Sequence, residues 1–260
     1  MSRPSIFVTG AASGIGRATA ELFAQRGWFV GLYDVNEAGV RELAARLGAD
    51  TSCAGGLDVG DYAAFERALA QFWEAAGQRL DLLFNNAGIG SSGDFEALSM
   101  NHNRAIIAVN FQGVVNGCHA AFQFLRRTPG ARVISMSSAS AIYGAPGLAS
   151  YAATKFAVKG LTEALDIEWR RHGITVRDIL PLFVDTPMVT KFESQLKAKE
   201  VLGMRLVPAD IARVVWRAAH WKLWPRVHWY PGTQGWLMAL AQKLTPHWFN
   251  RFTTRVVSGY

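Results

Sequence analysis

Tyr151 and Lys155 stand four residues apart in a segment that reads as a helix, and Ser138 closes the strand-like run before it. Positions i and i+4 share one helix face, so a phenol, an ammonium and a hydroxyl come within reach of one carbonyl-sized site. A phenol with an ordinary pKa of about 10 is a poor base near neutral pH, but a neighbouring cation stabilises its phenolate. Tyr151 could then take the proton of an alcohol or return it to a carbonyl, with Ser138 holding the same oxygen. A second cluster, Gly10, Ser13, Gly14, Ile15 and Gly16, follows the apolar run Ile6-Phe7-Val8. Glycines after a strand let the backbone bend tightly and approach a pyrophosphate, with the amides of the next helix facing its oxygens. Proton transfer beside a dinucleotide points to hydride transfer.

Further residues refine the cofactor. Asp34 closes the second strand candidate, where its carboxylate can accept hydrogen bonds from adenosine ribose hydroxyls and would repel a 2′-phosphate. Neither Ser13 nor Val35 supplies a basic clamp for such a phosphate, so NAD is expected rather than NADP. Arg17 is the dissenting residue unless it points outward. Asp58 and Val59 suit contact with the adenine edge, although the aspartate could instead cap a helix.

Positioning these groups requires a fold. The strand candidates are Ile6–Thr9, Phe29–Tyr33, Thr51–Leu57, Leu82–Phe84, Val133–Met136, Val176–Leu180 and Val227–Tyr230. Helical patterns lie between them, near 15–26, 36–47, 61–76, 103–126, 152–171 and 209–220. Several strands are apolar throughout, as expected where helices cover both faces of a parallel sheet. With 260 residues and no Gly-, Ser- or Pro-rich linker, a single α/β domain over residues 1–260 is expected. The polar stretch near 186–207 carries Lys191, Glu193, Lys197, Lys199 and Glu200 and suits a helical lid or an ordinary surface helix.

The charge is uneven. Residues 1–200 hold 19 Lys+Arg and 19 Asp+Glu, whereas residues 201–260 hold eight cations and only Asp210, which accounts for the net +7. Cys53 and Cys118 are too few and too isolated for a disulfide framework, and no metal is expected. Before Ile6 there is no room for a signal peptide, and no later stretch is both uncharged and strongly apolar over about 20 residues. A cytoplasmic protein is expected. Nucleic-acid binding is not, because the positive charge comes with no recognisable reading module.

The chain resembles the classical short-chain dehydrogenases/reductases over nearly all its length. Thr9 through Gly16 is similar to their nucleotide turn, Asn85-Asn86-Ala87-Gly88 to the motif supporting the central strand, and Tyr151-Ala152-Ala153-Thr154-Lys155 to their Tyr-x-x-x-Lys. The resemblance implies a Rossmann-like three-layer sandwich on a seven-stranded parallel sheet of order 3-2-1-4-5-6-7. It implies catalysis by Asn110, Ser138, Tyr151 and Lys155, with Asn110 in a water-mediated relay behind Lys155. It adds Asn86, Ala87 and Gly88 to the cofactor site. Lys155 would also grip the nicotinamide ribose. Pro181-Leu182-Phe183-Val184-Asp185-Thr186 resembles the family's Pro-Gly-x-x-x-Thr loop, with leucine for glycine; Pro181, Val184 and Thr186 would then face the nicotinamide carboxamide. A homodimer or homotetramer is also implied.

For the substrate, Ala139, Ile142, Tyr143, Leu148, Phe183 and Met188 beside Ser138 are expected to form an apolar pocket. A hydrophobic secondary alcohol and its ketone are the leading class. The alternatives are a 3-oxoacyl thioester reductase, which Asp34 disfavours in its NADP-linked form, and a non-catalytic dinucleotide-bound scaffold or membrane-surface protein. The basic aromatic extension near 235–260 has Trp236, Leu237, Leu240, Ala241 and Leu244 at near-helical spacing, followed by Trp248, Phe249, Arg251, Phe252 and Arg255. It could pack on a subunit partner, shield the pocket or rest on an anionic membrane.

Overall fold

Seven strands pair in parallel in the computed structural model, which describes residues 3–190, 201, 203 and 206–259. They are β1 (Ser5–Thr9), β2 (Phe29–Asp34), β3 (Ser52–Gly56), β4 (Leu82–Asn85), β5 (Arg132–Met136), β6 (Thr175–Ile179) and β7 (His228–Trp229), in the order β3-β2-β1-β4-β5-β6-β7. The order reverses between β1, which pairs Ser5 with Phe29 on one side, and β4, which pairs Leu82 with Ile6 on the other. Ligands of open parallel sheets bind beyond the carboxyl ends of the strands at such a reversal.

Strand periodicity divides the core. Phe7 points into a cluster with Phe65, Leu69 and Phe72 of α3 (Tyr62–Ala75) and Val114 and Ala121 of α5 (Gly113–Leu125). Its neighbours Ile6 and Val8 point into the opposite cluster, with Phe23 of α1 (Gly14–Gln25), Val40 and Leu43 of α2 (Glu37–Leu47) and Ile211 and Val215 of α8 (Pro208–His220). Helices on both faces make the three-layer Rossmann-like sandwich. Side chains start the helices where the sequence offers acceptors: Asn36 accepts from the Gly39 amide at 3.1 Å and Asp61 from the Ala64 amide at 2.9 Å. Asp61, not Asp58, is therefore the cap of α3.

The continuous helix expected near 103–126 is interrupted. It consists of α4 (Met100–Ile107), a π-helical turn at Ala108–Gln112, and α5. Within Met100–Leu125 one 18-residue window is long and apolar enough to cross a membrane, with a mean hydropathy of 1.2, and half of that window is buried in the fold, as in a core helix. After β5 come α6 (Ala149–Glu168), β6 and the short α7 (Pro187–Thr190). The expected lid lies largely outside the described residues, its lysines entirely so. The chain on either side of it is joined by a bridge between Val184 and Leu206.

Two further helices end the chain, α9 (Gly232–Leu244) and α10 (His247–Ser258). Asn250 locks them as a hairpin: its amide donates to the Gln242 and Thr245 carbonyls and its oxygen accepts from the Thr245 hydroxyl at 2.6 Å.

Candidate active site

The glycine turn is built by backbone that a side chain would block. Gly10 and Gly14 have φ of +68° and +53°, and a Cβ on Gly16 would sit 2.0 Å from the Gly10 carbonyl oxygen. Asn86 fastens this turn to the end of β4, its amide donating to the carbonyls of Thr9 at 2.9 Å and Gly10 at 3.2 Å. The Thr9 hydroxyl accepts from the Asn86 and Ala87 amides, both at 3.0 Å. Asn85 is buried beneath and donates to Ser135 on β5. Asp34 is pinned too: Oδ2 accepts from the Ala12 amide at 3.0 Å and Oδ1 from the Asn36 amide at 2.9 Å.

A cleft of about 520 Å³ runs over these groups. Gly10, Ser13, Gly14, Ile15, Asp34, Asp58, Val59, Asn86, Ala87, Gly88, Pro181, Val184 and Thr186 all line it, together with Ser138, Tyr151 and Lys155. Gly16 lies behind the wall, where its missing side chain lets α1 approach the turn. Arg17 pairs with Glu21 at 3.1 Å on the outer face of α1, so it is no phosphate clamp in this arrangement. A cradle of bare backbone at one end, a fixed carboxylate beyond it and a buried lysine at the other end fit a dinucleotide.

Tyr151 and Lys155 share the cleft-facing side of α6. The Lys155 ammonium lies 5.4 Å from the Tyr151 ring centre and donates to the Met136 carbonyl at 2.8 Å. Burial lowers its pKa to about 8. Burial also raises the Tyr151 phenol above its ordinary value, and a hydrogen bond with Ser138 opposes that rise. Loss of hydration is the larger influence on the phenol, and the Met136 carbonyl engages the Lys155 ammonium.

Asn110 occupies the π-helical turn and is fully buried. Its Oδ1 accepts from the Ile89 amide and its Nδ2 donates to the Ile89 carbonyl, both at 2.8 Å, with Thr154 Oγ1 3.4 Å from Nδ2. It does not line the cleft. Its side chain ties the loop after β4 to α6.

A second cavity of about 320 Å³ adjoins the first. Ser138, Ala139, Tyr143, Leu148 and Phe183 line it, whereas Ile142 is buried behind Leu182 and Met188 faces the larger cleft. Its far wall is formed by Met238 of α9 and Thr253, Thr254, Val257 and Ser258 of α10, so the extension shields the pocket, one of the roles its sequence allowed, through residues that the sequence did not single out. Only the hydrophobic pattern of the extension hinted at it. The Thr253 hydroxyl donates to the Phe249 and Asn250 carbonyls and that of Ser258 to the Thr254 carbonyl, so this wall turns little hydrogen-bonding capacity inward. Leu182, standing where the family's glycine would, needs no left-handed backbone; it packs with Ala139, Ile142, Met238 and Ala239 and lines both cavities.

Known proteins share this arrangement. Residues 4–197 match the family model described as short chain dehydrogenase. D-threitol dehydrogenase of Mycolicibacterium smegmatis is 35% identical over 183 residues, covering 70% of each chain. A short-chain dehydrogenase/reductase of Burkholderia phymatum, solved with NAD, superposes with a TM-score of 0.82 at 26% identity and covers 92% of each chain. The 3-ketoacyl-(acyl-carrier-protein) reductase of Brucella melitensis, solved with NADH, gives 0.78 at 27% identity over 87% of this chain and 96% of its own. Sheet order, glycine turn and the Ser138, Tyr151 and Lys155 cluster thus agree with the match: the chain belongs to the short-chain dehydrogenase family of nicotinamide-dependent oxidoreductases.

Proposed function

We propose that the protein interconverts a hydrophobic secondary alcohol and its ketone with NAD, using Tyr151 as the acid/base. The observation that carries this reading is that Ser138 and Tyr151 line both cavities, the larger cleft with the glycine turn and Asp34 and the smaller, more apolar one. A reacting carbon seated between them has a proton donor and a hydroxyl on one side and dinucleotide space on the other. When bound, the nicotinamide gives or takes the hydride.

The protein's own residues do the rest. Ser138 Oγ donates to the substrate oxygen and holds it near Tyr151 Oη. During reduction Tyr151 Oη delivers its proton to that oxygen, and during oxidation it takes the proton back. Lys155 lies close enough to stabilise the transient phenolate and to hold a ribose hydroxyl, while Asn110 fixes the loop that backs it. Asp34, with both oxygens oriented by backbone amides, faces the adenosine ribose and disfavours a phosphate on it. Ala139, Leu148, Phe183, Val257 and Met238 make the substrate space apolar and limit the entry of water. The similarity to a 3-ketoacyl reductase solved with NADH supports a thioester as the second reading.

Exposed Met100, Ile107 and Phe156 on α4 and α6 support self-association through that helix face, as a homodimer or homotetramer. A panel of alcohols and ketones, followed by reduced-nicotinamide absorbance with NAD and with NADP, tests the assignment. Turnover of apolar secondary alcohols with NAD is expected, and Tyr151→Phe should lower it about 100- to 10,000-fold with dinucleotide affinity unchanged. Full turnover by that variant would reject the proton role.

A further inference from the structure

We infer that the outward face of α9 and α10 docks on an anionic lipid bilayer, placing the apolar cavity directly behind the bound surface. In α9 the residues Trp236, Leu237, Leu240 and Leu244 are exposed, at 38–75% of their full surface. In α10 the residues Trp248, Phe249, Phe252 and Val256 are exposed, at 40–69%. Both sets follow the same spacing, i, i+1, i+4 and i+8, which places each on one side of its helix. The hairpin is thus inside out relative to an ordinary surface helix, whose exposed side is polar. Its inner side, with Met238, Thr253, Thr254, Val257 and Ser258, is already used as the wall of the cavity.

Charge identifies what covers the outer side. Residues 211–260 contain seven Lys and Arg and no Asp or Glu. Lys243, Arg251 and Arg255, all exposed, lie among the apolar residues. Lys243 stands seven positions after Trp236 and Arg255 seven after Trp248, so the two helices repeat the cation as well as the apolar pattern. Large aromatics that enter the headgroup boundary, with cations at phosphate level, are the composition of a helix lying in an anionic interface. A second copy of this chain would meet the patch with the same positive charge, which opposes self-pairing there.

Co-sedimentation of the full chain with vesicles tests this without reference to turnover, so its failure leaves the hydride-transfer reading standing. Vesicles of equimolar phosphatidylglycerol and phosphatidylcholine should pellet the protein, vesicles of phosphatidylcholine alone should pellet far less, and high salt should weaken binding. Lys243→Gln with Arg251→Gln should lower the partition coefficient about five-fold for each cation removed. Trp248→Ser with Phe252→Asp should leave the protein in the supernatant while dinucleotide affinity is kept. Absence from both pellets, or equal pelleting of this last variant, would overturn the inference. So would a fall in oligomer size in that variant with its vesicle binding intact, because the face would then belong to a second copy.

Discussion

Lys155 is kept where its charge is costly. Only 4% of the residue is exposed and burial takes its pKa from an ordinary 10.5 to about 8. Between those values the unfolded chain binds a proton that the folded one has lost, so folding stability rises with pH across about 8 to 10.5 and carries the full penalty below. Lys155→Met should therefore melt higher than the parent at pH 7, by about 2–4 °C for each kcal/mol recovered, and lose that advantage as pH climbs through 8. Its turnover should collapse. Calorimetry across pH, paired with the activity assay, checks both; a lower melting temperature at pH 7 would show that the ammonium is stabilising where it sits. At this scale much was readable: glycine spacing, Tyr151, Lys155 and an aspartate closing a strand are local patterns. The pinning of Asp34 by two backbone amides was not, since those amides reach it through the turn after β1 and the start of α2. Nor was the raised phenol, which depends on how thoroughly the folded chain strips water from the hydroxyl.

Elements hold the site through contacts more distant in sequence. A Cβ on Gly16 cannot coexist with the Gly10 carbonyl, so Gly16→Ala should push α1 off the turn. Dinucleotide affinity should fall at least ten-fold, seen by equilibrium titration, with Tyr151 and Lys155 untouched. The last strand has only two residues, and side chains hold it. His228 Nδ1 lies 2.7 Å from the fully buried Asp178 of β6, and Nε2 lies 2.9 Å from Glu163 of α6. Burial alone would lower the imidazolium pKa, but the hydrogen bond and charge of Asp178, with Glu163, raise it above the ordinary 6.5. A raised pKa contributes stability fully present below 6.5 and lost as pH rises through the folded value. The parent should therefore gain melting temperature over His228→Gln as pH falls from 8 to 6, and a difference flat with pH would exclude a charged His228. Element boundaries were legible where apolar periodicity was clean, as in β1 and α8. They failed at the π-helical turn, because an inserted residue leaves no mark on composition. They failed also at α10, whose apolar stripe faces away from the core that periodicity is used to find.

At the scale of the whole molecule, the active site is assembled from both ends of the chain. The glycine turn comes from residues 10–16 and the far wall of the apolar cavity from residues 238–258. A chain ending before His247 should keep its dinucleotide affinity and show a raised KM for apolar ketones, because only the second cavity loses its wall. Unchanged KM would mean that substrate sits elsewhere. The larger consequence comes from Leu182, whose side chain is one partition seen from two rooms, together with Pro181. Where a guest on one side alters the shape offered to the other, the two affinities are linked by the same factor in either direction. Titrating an unreactive ketone analogue with and without dinucleotide, then dinucleotide with and without the analogue, should return one number twice. Shaving the partition with Leu182→Gly should bring that number towards unity, leaving an enzyme indifferent to which of its two guests arrives first.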